Sequence, residues 1–311
     1  MRYVLLIMIL LSLPARSFDI LSALTLSNDY NNNIYLSLEN DFPFGMDKYY
    51  THAHKIGFRS TEMFNDRFVN FELSQNIITP ADRNSEQKLE NDIPYSGSII
   101  FKAQTPVENF FPFLVLETQI GLLGKSAYGK ETQEFIHSFT PNAKNPESWH
   151  NQLNDDLIIN FGAYSFLPIF ETGFFGENYR TPDATLTVYK LPLAGLIEGN
   201  INFGNYKNDV NLTFSTIMYS IRRLEKMLIY LKLSNNFRYV ISDAEITGIG
   251  VLNEANGINS KELNSFMNIF KAELYFIYRS AGFKLYSVSR SSPVKHSTAH
   301  SVFGMSLLYS F

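Results

Sequence analysis

Apolar side chains recur at every second residue, in short runs, along this chain. At its end Phe303, Met305, Leu307, Tyr309 and Phe311 alternate, with Gly304, Ser306 and Ser310 between them. Near its start Ile34, Leu36 and Leu38 share one face, and Tyr35, Ser37, Glu39 and Asp41 the other. A period of two sends successive side chains to opposite faces of a strand, so each run presents one apolar face. Nothing after the N-terminal segment approaches the roughly 18 consecutive apolar residues of a membrane helix. Such a chain can bury its apolar faces in a β-sandwich. It can also roll into a barrel that turns them toward lipid.

The connections favour the barrel. Strands are expected at 34–41, 51–62, 68–76, 95–104, 111–121 and 156–166, and the segments between them alternate in length. The links at 63–66 and 105–109 are short; those at 42–50, 79–92 and 122–155 are long. Bacterial barrels show this rhythm of periplasmic turns and extracellular loops. The composition agrees: 27 Phe and 18 Tyr beside one Trp, with 18% charged residues, suit aromatic girdles at two membrane interfaces. Further on, 170–175 and 184–189 read as a strand pair around a loop at 176–183. The polar, glycine-containing segment 199–223 reads as a long loop with partial helix. Strands follow at 227–239, 265–278, 282–290 and 301–311. The expectation is an all-β, transmembrane, antiparallel up-and-down barrel of about twelve strands, with short helices in its extracellular loops.

The first residues read as a signal peptide. Arg2 supplies the positive end, 4–13 form a short apolar core, and Ala15 and Ser17 are the small residues of a cleavage site. Cleavage is expected after Ser17, leaving 18–311 as a single outer-membrane domain with no internal boundary. With no cysteine the chain uses no disulfides. A net charge of −4 and the lack of a basic stripe argue against a nucleic-acid partner.

Chemistry concentrates in one segment, 119–153. Its stretch KETQEFIHSF has no helix breaker, and Pro141 and Pro146 close it. Gln133 and His137 lie four apart, so on a helix they share a face. A histidine beside an amide can orient and deprotonate a water; a satisfied loop histidine is the plainer alternative. Trp149 and Gln152 are expected to anchor this loop to the barrel.

This segment is accompanied by LENDFPFGMDKYYT at 38–51, QNIITP at 75–80, NDIPYSG at 91–97 and, more weakly, HSVFG at 300–304. In that order the blocks resemble the outer-membrane lipid A 3'-O-deacylase family (LpxR-type), over most of the mature chain. Two positions depart from the family pattern: Ile93 stands where Arg is usual, and Ala53 where Gly is usual. The resemblance implies a twelve-stranded barrel in a Gram-negative outer membrane, acting on lipid A of lipopolysaccharide in the outer leaflet. It implies a catalytic cluster of Asn40, Asp41, Thr51, Gln133 and His137, with Asn40 and Asp41 at a calcium ion. Carboxylate, amide and hydroxyl oxygens suit such a hard cation, and its charge would stabilise an oxyanion at an ester carbonyl. A monomer is expected.

Two other classes remain open. A phospholipase barrel would need a serine nucleophile, for which no G-x-S-x-G segment is present. A non-enzymatic pore or adhesin would keep the barrel without an arranged site. His52, His54, His296 and His300 are expected as rim or loop histidines, and Arg83, Lys88 and Lys125 as solvated cations.

Overall fold

The structure is a computed structural model. It describes residues 32–41, 49–60, 69–81, 92–107, 114–139, 148–173, 178–181, 184–187, 192–222, 227–248, 251–252, 256–295 and 297–311, side chains at 166–196 and 218–226 excepted. The expected signal peptide, Arg83, Lys88, Pro141, Pro146, His296 and the 63–66 link lie outside these residues.

Twelve antiparallel strands close on themselves. In ring order from the N-terminus they are β1 (Asn32–Asn40), β2 (Tyr49–Ser60), β3 (Val69–Thr79), β4 (Ser96–Pro106), β5 (Leu114–Leu123) and β6 (Asp156–Gly173). A separate two-stranded hairpin follows, β7 (Asn178–Thr181) with β8 (Ala184–Thr187). The ring continues through β9 (Pro192–Gly204), β10 (Lys207–Arg222), β11 (Met227–Asp243), β12 (Phe266–Tyr278), β13 (Ala281–Arg290) and β14 (His300–Ser310). The terminal strands pair with each other, from Asn33 opposite Ser310 to Asn40 opposite Phe303, so the sheet has no free edge.

The second half corrects two sequence expectations. The segment 199–223 is not a loop with partial helix: it holds the end of β9 and all of β10, joined through Asn205 and Tyr206. The pair read at 170–175 and 184–189 is not in the barrel wall as such. Instead β6 runs on to Gly173, stepping over Pro168 with a register shift between Pro168 and Phe170. A bulge is how a strand accommodates proline, which has no N–H to give the ladder. The hairpin of β7 and β8 then stands apart from the ring.

Alternation sorts the wall into two environments. Ile34, Leu36 and Leu38 on β1, Ile56 on β2, Leu73 on β3 and Met305 and Leu307 on β14 face outward and are exposed. The inward rows are polar and compensated. Glu39 accepts from Tyr50 Oη at 2.6 Å, Lys55 Nζ at 2.8 Å and Tyr286 Oη at 2.7 Å. Arg238 joins Asp209 and Asp243, and Glu273 pairs with Lys271 and Lys284. An apolar exterior around a paired, polar interior is the inside-out arrangement that lipid imposes on a barrel.

At one end lie most of the longer connections and at the other the shorter ones; the exceptions are the two-residue β9–β10 turn at the first end and the β7–β8 hairpin at the second. The loop-bearing end of such barrels faces outside the cell. There a one-turn helix, α2 (Ala244–Thr247), crosses the mouth. Asp243 caps it, accepting from the Glu245 N–H at 3.2 Å. Glu245, nearly fully buried, accepts from Lys207 Nζ at 2.6 Å and from Ser98 Oγ at 2.7 Å. Ile246, Ile258 and Leu263 pack with Val294 of the β13–β14 connection and with Tyr49 and Ile78 from across the ring. The mouth is therefore closed by an apolar layer over a buried ion pair.

Candidate functional site

The loop after β5 does not enter the barrel. On β3 the outward row runs Phe71, Leu73, Gln75 and Ile77, and on β4 the matching residues are Phe101, Ile99 and Gly97. Leu73 and Phe101 are exposed, whereas Gln75 and Ile77, higher on the same rows, are buried. What covers them is the helix α1 (Gly129–Ser138) and the turn that follows it. Gln75 donates its amide to the Ala127 carbonyl at 2.5 Å, and Thr132 donates its hydroxyl to Gln75 Oε1 at 3.0 Å. A Cβ on Gly97 would lie 3.1 Å from Gly129 N and 3.2 Å from its Cα. The two glycines thus let helix backbone rest on strand backbone. α1 is clamped to the outside of the wall, at the loop-bearing end.

The expected helix at KETQEFIHSF is present, and its site-bearing side is held in place. Trp149 is 1% exposed, lies against Tyr95 with ring centroids 4.7 Å apart and planes tilted at 43°, and packs with Ile77. Its indole Nε1 donates to Gln133 Oε1 at 2.8 Å. The Gln133 amide nitrogen, also buried, has no hydrogen-bond partner among the described residues. That is a costly state for a buried donor, and it is aimed within the covered space between helix and wall. His137, one turn further on, is half-buried. The anchoring role expected of Trp149 holds, and Gln152 adds a tie to the β11–β12 connection, its carbonyl accepting from Asn256 at 3.3 Å.

The strand tips supply the other residues. Asn40, last on the outward row of β1, pairs with His52 on β2. Its amide nitrogen lies 3.4 Å from His52 Nδ1. His52 and His54 follow on the same outward row, with ring centroids 5.6 Å apart. Asp41 is 3% exposed and donates its N–H to the Thr51 carbonyl at 3.2 Å. Thr51 is the extra residue of a β-bulge, where the β2–β3 register jumps between Tyr50 and His52. The bulge turns its hydroxyl to Thr79 Oγ1 at 2.9 Å and to the Tyr49 carbonyl at 3.2 Å. Tyr49 takes a left-handed φ of 62°, a conformation that an aromatic residue adopts only where its surroundings hold it.

The structure places Asn40, Asp41 and Thr51 at the tips of β1 and β2, and Gln133 and His137 on the helix lying over β3 and β4. Sequence reasoning missed two residues that build this site, Gln75 and Thr79. Both lie in or beside the QNIITP block, so the signal was on the page. Asp92 accepts from the N–H groups of Ala81 at 2.7 Å and Ile93 at 2.8 Å. Among the described residues no three His, Asp or Glu side chains gather as a metal site. A calcium ion here would rest on the single carboxylate of Asp41, with neutral oxygens from Asn40, Thr51 or the backbone. Such an all-oxygen set fits a hard cation in kind.

A closed, lipid-facing ring of twelve strands, with polar groups inside and a helix buttoned to its outer wall, makes this an outer-membrane β-barrel protein. The family model described as "Outer membrane protein LpxR" matches residues 4–311. The chain belongs to the LpxR family. Among solved structures it is similar to LpxR from Salmonella typhimurium, with a TM-score of 0.70 at 14% identity over 90% of this chain and 100% of that one. The NanC porin aligns with a TM-score of 0.38 at 5% identity, over 90% of this chain and 100% of that one. No protein of curated function matches this sequence.

Proposed function

We propose that this protein is a lipid A 3'-O-deacylase: an outer-membrane hydrolase that removes an ester-linked acyl or acyloxyacyl chain from the lipid A of lipopolysaccharide. The observation that carries this reading is the seat of α1. A helix bearing Gln133 and His137 lies on the lipid side of the wall, where a membrane-embedded substrate can reach it without entering the barrel. α1 touches β4 at Gly129 and β3 at Thr132. With about 1.5 Å of rise per residue and strands about 4.8 Å apart, its next turn is directed toward β2 and β1, where Asn40 and Thr51 stand.

In this reading His137 accepts a proton from a water as that water attacks the acyl carbonyl. It then returns the proton to the departing sugar oxygen, releasing a fatty acid and a free hydroxyl. Gln133, fixed by Trp149, keeps an amide donor directed at the water or the ring. The buried Gln133 nitrogen supports that role, because a donor left unpaired in the closed wall costs stability unless something occupies it. Asp41, with Asn40, would hold the calcium ion, whose positive charge favours the oxyanion at the carbonyl. No step needs a serine. The apolar layer across the mouth and the paired interior favour an enzyme over a pore.

The test is mass spectrometry of lipid A from membranes that carry the protein and from membranes that lack it. Loss of the 3' acyl or acyloxyacyl mass, dependent on the protein, is the expected result. Unchanged lipid A in membranes carrying the folded protein would overturn the assignment.

A further inference from the structure

Helix α1 carries two large apolar side chains that nothing in the site uses. Phe135 is 64% exposed and Phe139 is 72% exposed, and their rings meet edge to face at 4.9 Å. At 3.6 residues per turn the helix has three sides. Gly129, Gln133 and Ile136 face the wall. Lys130 and Glu134, joined as an ion pair at 3.8 Å, form one flank. Phe135, Phe139 and Thr132 form the other.

The wall shows which flank points down. Thr132 bonds to Gln75, which lies two residues nearer the barrel's middle than Ile77 on β3. Gln133, toward the opposite flank, is bonded to Trp149, which packs on Ile77 and Tyr95. The phenylalanine flank therefore faces the middle of the barrel, and the charged flank faces the loop-bearing end. Below the helix on the same outward rows stand Leu73, Ile56 and Phe101, exposed members of the membrane-facing belt. The aromatic pair continues that belt.

We propose that α1 lies in the membrane interface as a half-immersed helix, with Phe135 and Phe139 among the acyl chains of the outer-leaflet lipids and Lys130 and Glu134 at the water. Amphipathic helices with aromatic and charged faces settle in this plane. Unlike a free surface helix, this one is bolted to the wall, so its depth is fixed by the barrel and it holds its wall-facing residues at the level where acyl chains meet head groups. The occupant is bulk lipid, so the inference rests on the outer-membrane location and not on any reaction.

The chain has no cysteine, so single substitutions report one site each. Phe139→Cys and Lys130→Cys are labelled with a nitroxide, and the protein is reconstituted in vesicles of phosphatidylethanolamine and phosphatidylglycerol. Collisions with oxygen, which concentrates in the acyl region, are compared with collisions with a water-soluble nickel chelate. An oxygen-to-nickel ratio several-fold higher at 139 than at 130 is expected. Equal ratios, or a nickel-rich label at 139, would overturn the proposal. Phe135→Cys gives the same reading if Phe139→Cys fails to fold. The readout requires no lipid A cleavage, so its failure is separable from failure of the deacylase reading.

Discussion

Trp149 and Gln133 form the bond on which the site's geometry turns, and a small change isolates it. Trp149→Phe keeps a ring against Tyr95 but removes the indole N–H, leaving Gln133 Oε1 buried without its donor. The expected cost is about 1–3 kcal/mol, confined to α1 and the 148–151 turn. Limited proteolysis should cut there faster, while the barrel's heat-modifiable migration on gels stays unchanged. Much of this scale was legible in the sequence. The four-residue spacing of Gln133 and His137 and the single Trp were visible, and the structure gives them one helix and one anchor. The Thr51 bulge was not legible, because a bulge depends on the register of two strands and no single strand encodes it. Nor was the His52 contact to Asn40, which follows from pairing between neighbouring strands.

Two helices of similar polarity have opposite fates, and close packing decides between them. α1 can reach the outer wall because Gly97 and Gly129 offer no side chains where the backbones meet. Gly97→Val should push α1 away, with overpacking worth about 1–3 kcal/mol. Deacylation should then fall sharply while barrel assembly is retained, as read by activity and gel mobility on one sample. α2, by contrast, is held inside the mouth by the Glu245–Lys207 pair. Burial alone would raise the Glu245 carboxyl, but the Lys207 ammonium and the hydrogen bonds from Lys207 and Ser98 outweigh it and hold it well below the usual carboxylate range. A group depressed on folding contributes its stability above its unfolded pKa and loses it as pH falls through the folded value. Amide exchange at 244–248 should therefore stay slow near neutrality and quicken in strong acid, before the strands open. Lys207→Met should open the same segment at neutral pH, since a buried carboxylate stripped of its partner costs about 3–5 kcal/mol.

The strands themselves show where alternation informs and where it misleads. β1 was plain because Tyr35, Ser37 and Glu39 on its inward row are easily told from the apolar outward set. β9 and β10 carry the same outward rows, Ile201 and Phe203, then Val210, Leu212 and Phe214, but their inward residues are Asn200, Asn202, Asp209 and Asn211. Asn and Gly signal turns in a soluble protein. On the inner face of a barrel they are ordinary wall residues.

At the scale of the whole molecule, the barrel puts its polar groups inside and carries helix α1 on its lipid-facing wall. The sequence announced the ring and its strand number, but not on which side of the wall the site-bearing loop would fold. A strand's alternation names two faces, and only the pairing of Gly97 with Ile77 marks which one the helix covers. The sheet closes through backbone pairing of β1 with β14, so chelation should abolish deacylation and leave the barrel's mobility intact, with activity restored by added calcium. The most direct test sets membranes bearing the wild-type protein beside membranes bearing His137→Ala, at matched folded amounts, and follows lipid A by mass spectrometry. A His137-dependent loss of the 3' acyl unit, with the variant slower by about 10²–10⁴-fold, is the predicted result. Equal deacylation by the two proteins would contradict it.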